Sequence, residues 1–303
     1  MILEFWQGPG DPLNALAGVL RAVGSIGALG GAGIALFLLF MSGELTADEA
    51  TAARRWLFVL VLVGVLASLA AWPLRALSLA RSPEAAMRAD LYVAIARSRF
   101  GDAGLMRLAG LLLVLFALMR RSWATGMAVV GAVTVAASYA AFGHATQYRP
   151  RQELAALTVL HVSAAAFWFG SLFPLRNLTL RRDPRAAGEA FLVWSRYART
   201  MVLLALASGL AAAWYLAGPA RGLPASWFGW ALIAKAALVA LLLVHAFTAR
   251  FRHVRLLLRG DVLAASALRR SLGRQILLGL LVLCVTAELV GVDPPDLGHR
   301  LPG

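Results

Sequence analysis

The sequence predicts an all-α, polytopic transmembrane helix bundle of about eight spans, with both termini periplasmic. Three observations carry the prediction. Of the 303 residues, 60% are hydrophobic and only 15% are charged, more apolar surface than the interior of a soluble domain of that length can hide. The apolar residues fall into blocks of about twenty, the length a helix needs to cross the hydrocarbon core. Those blocks are continuous rather than alternating, which selects helices over the strands of a membrane barrel.

Taken in order, the first block covers 22–41 and is followed by a connection bearing Arg54 and Arg55. The second covers 56–79. A long connection follows, and its 90–100 stretch reads as an amphipathic helix lying at the interface. Spans three and four, 103–119 and 123–142, are separated only by a short basic joint with Arg120 and Arg121. Gly143 then permits a turn at the membrane surface before span five, 154–175. Arg176, Arg181, Arg182 and Arg185 come next, ahead of span six at 197–217. Span seven, 227–249, runs into Arg250, Arg252, Arg255, Arg259, Arg269 and Arg270, and span eight closes the series at 272–290. Basic residues favour cytoplasmic connections, so the joints after spans one, three, five and seven face the cytoplasm and the termini face the periplasm. The Arg-containing connection between spans two and three runs against that bias, but it is long and also carries Glu84, Asp90 and Asp102.

Composition excludes several function classes. The formal net charge of +14 belongs to arginines between apolar blocks, where they meet lipid headgroups rather than nucleic acid. A single cysteine, Cys284, rules out an intramolecular disulfide and a C-x-x-C cluster. The opening residues lack the basic leader of a cleavable secretion signal, so the first block reads as a true span. With no fixed-period repeat and no linker, residues 1–303 read as one integral membrane domain. Phosphate-cradling loops, nucleophile triads and H-E-x-x-H helices are missing from the sequence, and no enzyme is expected.

Ionisable residues inside spans are costly and usually face the bundle interior, so they mark the first place to look for function. His161 in span five, Lys235 and His245 in span seven, and Glu288 in span eight are such residues, and His144 sits just beyond span four. At 1.5 Å per residue, His161 lies about 10 Å and Lys235 about 12 Å below the outer surface, on one polar level with Glu288. Lys235, the only lysine, and Glu288 are expected to form a structural ion pair. His245 lies roughly 15 Å deeper than Lys235, in another layer. Helical spacing aligns His161, Ala165 and Trp168 on one face, while Ser163, Ala164, Gly170 and Ser171 allow close helix approach. A neutral imidazole suits copper, and the Trp168 face suits a soft cation; hydrogen bonding of His161 across helices is the competing reading. His144 stands at the outer mouth, placed to receive an ion first or simply to be solvated.

The same residues resemble a known family. G-H-A at 143–145, L-H-V-S-A-A-A-F-W-F-G-S-L at 160–172, S-R-Y-A-R at 195–199, the Lys235 span, and the run from Leu268 through T-A-E-L-V-G-V-D-P-P are similar to the copper resistance protein D (CopD) family. The likeness covers about 143–295 well and the first half more loosely, through S-R-F-G-D-A-G-L-M-R-L at 98–108. The resemblance implies an eight-span inner-membrane protein that handles copper ions, often with a periplasmic copper-binding partner (CopC). His144, His161 and Trp168 fall on the family's motif positions, and Lys235 on its intramembrane lysine. Gln275 stands where family members commonly have glutamate. The leading functional expectation is copper transport or delivery from the periplasmic side, with His144 and His161 as metal ligands supported by Trp168, Lys235 and Glu288. The alternatives are a b-type haem electron-transfer protein, which needs axial histidines on facing helices, and a non-transporting membrane assembly partner.

Overall fold

The computed structural model describes residues 12–80, 82–119, 121–143, 148, 150–217 and 226–291. Among them there is no β-strand, and eight helices are long and apolar enough to cross a membrane, as the sequence predicts. The elements are α1 (Pro12–Phe40), α2 (Ala47–Ala80), α3 (Pro83–Ala86), α4 (Ala89–Ala96), α5 (Arg99–Val114, continued by a 3-10 turn to Leu118), α6 (Ser122–Ala140), α7 (Arg151–Leu178), α8 (Pro184–Ala217), α9 (Trp227–Thr248), a π-turn at Ala249–His253, α10 (Val254–Leu258) and α11 (Val262–Gly291).

Several helices outrun the apolar blocks. α8 begins at Pro184 and α11 at Val262, more than two turns ahead of the hydrophobic runs. Hydropathy marks only the lipid-buried stretch, whereas a helix propagates through Arg, Ala, Leu and Glu wherever no breaker intervenes. The interfacial element between α2 and α5 differs from the single helix expected at 90–100. α4 stops at Ala96, and Ser98 caps α5 by accepting a hydrogen bond from the Gly101 N–H at 3.4 Å.

α1 occupies the centre, packed against α2, α6, α7 and α11. Its glycines make that possible. A Cβ on Gly27 would collide with the backbone of Gly64 in α2, and one on Gly33 with the Ala166 carbonyl of α7. From the other side, a Cβ on Gly170 would lie 2.6 Å from the Gly30 carbonyl oxygen. In lipid, where apolar burial supplies no net drive between helices, such backbone approach is what holds spans together. One cluster joins α1, α2, α5 and α6 around Leu57, Val61, Leu111 and Val135; a second joins α1, α7, α8, α10 and α11 around Phe37, Phe167, Leu175 and Phe191.

The Arg-rich end, where α1 passes to α2 and α7 to α8, is tied by one arginine. Arg181 donates to both carboxylate oxygens of Glu49, at 2.7 and 2.8 Å, and to the carbonyls of Glu44 and Ala186. Hydrogen bonding to Glu49 pushes the Arg181 guanidinium still further above its ordinary range. Glu49 is itself preorganised by a capping box at the start of α2: it accepts from the Thr46 N–H at 2.9 Å, and its own N–H donates to the Thr46 hydroxyl at 3.3 Å.

Candidate functional site

His161 lies ten residues into α7, about 15 Å below the Arg151 end at 1.5 Å per residue. Its half-buried ring crosses to α8, where Nδ1 is 2.8 Å from the carbonyl oxygen of Ala205. A carbonyl only accepts, so Nδ1 carries the proton and the Nε2 lone pair is the free one. Gly209, one turn along α8, lets the ring sit this close: a Cβ there would lie 2.9 Å from both Cε1 and Nδ1. Ser208 beside it is buried but spends its hydroxyl on the Leu204 and Ala205 carbonyls.

Lys235 reaches the same level from α9, two turns below Trp227, and its charge acts on the His161 ring. Between this level and the end of the bundle lies an apolar layer. Tyr148 and Leu154 pack with Ala212 and Leu216, and Leu216 continues to Phe228, Leu289, Ala231 and Leu232.

On the other side of His161, Trp168 lies two turns deeper on the same face of α7 and packs half-buried against the core cluster around Phe167 and Leu172. Ser171 links it to α8: its buried hydroxyl donates to the Trp168 carbonyl at 2.8 Å and accepts from Trp194 Nε1 at 3.0 Å.

The remaining predicted residues are placed differently. Lys235 and Glu288 do not form the expected ion pair. Glu288 is turned toward α1, where its carboxylate covers Gly18 and interacts with the charge of Arg21, whose Nε donates to the Ala287 carbonyl at 3.3 Å. Spacing along two separate helices fixes depth but not the direction in which a side chain points, and Glu288 points away from α9. Arg21 was missed because the first apolar block starts one residue after it, whereas α1 begins nine residues before it. His144 lies outside the described residues. His245 sits near the Arg-rich end, lining a cleft with His253, Arg270 and Arg274, and does not oppose His161 as an axial haem pair requires. Among the described residues no three His, Cys, Asp or Glu side chains cluster to hold a metal ion.

Gln275, where a glutamate was anticipated from the resemblance, is fully buried and donates to the Ser271 hydroxyl at 3.4 Å; that hydroxyl approaches the His245 carbonyl at 3.5 Å. Cys284 is exposed on the lipid-facing side of α11.

Two family models match this chain. Residues 12–149 match the copper resistance protein D-like N-terminal domain, and residues 188–289 match copper resistance protein D. The chain belongs to the copper resistance protein D family. α7, with His161 and Trp168, falls wholly between the two matched ranges. No curated protein and no solved structure matches the chain. The CopD chain is therefore a multi-pass membrane protein of copper resistance, and the two matched ranges together take in its first half as well as its last.

Proposed function

We propose that this CopD protein carries or delivers copper ions across the bacterial inner membrane, entering from the side at which α7 begins. The observation that supports the reading is the hydrogen bond from His161 Nδ1 to the Ala205 carbonyl. A metal-ligating imidazole commonly donates its other N–H to a carbonyl, which fixes tautomer and orientation. His161 is arranged in that way, with Nε2 left to donate its lone pair to copper, an ion suited to imidazole. Transfer through one weakly held ligand fits an ion that must leave again. Lys235 adds to this by repelling a bound cation, and so limits how tightly the site retains it.

His144, four residues past α6 in the sequence, serves in this reading as an earlier station. A periplasmic copper-binding protein of the CopC kind would supply the ion there. Trp168 closes the path below His161. Both termini lie on the periplasmic side, since the arginine-rich joints are the cytoplasmic ones.

The test is copper accumulation in cells expressing the full chain, read against protein level in the membrane. His161→Ala is expected to reduce accumulation about tenfold or more, the usual scale for disrupting a metal site. His161→Gln retains a hydrogen-bonding group but no imidazole and should fail equally. Accumulation unchanged in both variants would end the assignment.

A further inference from the structure

At the Arg-rich end, α9, the π-turn and α11 line a cleft of about 320 Å³ with His245, Thr248, His253, Arg270, Ser271 and Arg274. The π-turn at Ala249–His253 explains how His253 joins His245 and Thr248 of α9 in this lining. Eight residues of regular α-helix carry the chain about 80° past its starting face; a π-turn absorbs about one residue and returns His253 to the face of His245. Arg270 and Arg274 stand one turn apart on α11, so both guanidinium groups can face the same space. The charge of Arg270 acts on His253 across it. No carboxylate lines the cleft, and among the described residues no Asp or Glu forms an ion pair with Arg270 or Arg274.

Two cations, two imidazoles and two hydroxyls without a counter-charge are suited to an anion with several acceptor oxygens. Arginine in particular matches phosphate by bidentate donation. The surroundings indicate which phosphate. The apolar run of α11 begins near Leu272, which puts Arg270 and Arg274 at headgroup depth. Toward the membrane centre the cleft continues onto exposed Leu241 and Val244 of α9 and Leu277 and Leu281 of α11. A soluble ion has no use for that apolar strip, whereas an acyl chain does.

We infer that this cleft is a binding site for an anionic phospholipid, whose phosphate is held by Arg270, Arg274 and His253 while an acyl chain lies along Leu241, Val244, Leu277 and Leu281. Basic clefts between spans at the headgroup level are the usual form of such sites. The lipid would clamp α9 to α11, and α9 has among the least protein-buried apolar stretches of any span.

The experiment is native mass spectrometry and thermal unfolding of the full chain, purified and then supplied with phosphatidylglycerol, cardiolipin, phosphatidylcholine or inorganic phosphate. The wild type should retain one anionic lipid at least tenfold more strongly than phosphatidylcholine and unfold several degrees higher with it. The R270Q/R274Q double variant should lose both effects, and Thr248→Glu, which sets a carboxylate against the phosphate, should do the same while leaving the arginines in place. The R255Q/R259Q pair removes as much charge from the same end but outside the cleft, and should behave as wild type. Equal loss in R255Q/R259Q reduces the effect to general surface charge and overturns the site. Stabilisation by inorganic phosphate as large as by the lipid overturns the lipid as its ligand.

Discussion

The histidine of α7 differs from one that merely fills a gap between helices in which of its nitrogens is committed. With Nδ1 donating to Ala205, the ring has a fixed tautomer and a single free lone pair, and Gly209 is the residue that admits it. Gly209→Ala puts a methyl group 2.9 Å from the ring and must displace it. The expected outcome is a fall of about tenfold in copper accumulation, close to that of His161→Ala, with normal protein abundance in the membrane, measured side by side. Lys235 acts in the opposite sense. Replacing it by methionine keeps length and removes the charge, and with it the repulsion of a bound cation. Lys235→Met should therefore hold copper several-fold more tightly in equilibrium binding to purified protein, and a weaker hold would contradict the assigned role. The position of His161 and Lys235 at one depth was legible from helix rise. The partner of Glu288 was not, because the rise of a helix says nothing about its rotation.

Among elements, α1 and the joint at Arg181 show what decides the packing. Beyond Arg21 α1 is almost wholly apolar, and its glycines at positions 27, 30 and 33 bring α2 and α7 within backbone contact. That spacing of small residues was present in the sequence as a signal for a central span. The ion pair between Arg181 and Glu49 was not, since 132 residues separate the partners. Both side chains are mostly buried, at 16% and 12% exposure, and truncating Arg181 leaves a carboxylate that keeps only its capping contacts. Arg181→Ala is expected to destabilise the protein by about 2 kcal/mol, the scale of a hydrogen bond to a charged group lost from a part-buried site. Thermal unfolding in detergent checks it, and Glu49→Ala should destabilise at least as much, since it also removes the capping box.

For the whole molecule, the distribution of arginines along the chain predicts an orientation, which cysteine labelling can read. In a Cys284→Ala background, Met87→Cys lies at an exposed position in the α3–α4 joint and Arg259→Cys at an exposed position after α10. A membrane-impermeant maleimide applied to intact spheroplasts should label the first, and the second only after the membrane is opened; the reverse pattern would invert the topology. The sequence by itself determined that this is an eight-span helical protein, because lipid imposes a length of apolar chain on every crossing. Only the tertiary structure decided which residues meet: His161 with Ala205 and Gly209, Glu288 with Arg21, Arg181 with Glu49, and His245 with His253 across a π-turn. The physical reason is that hydropathy is nearly blind to the rotation of a helix about its axis. Rotation is set by where glycine and other small residues let two backbones touch, and that depends on both partners at once.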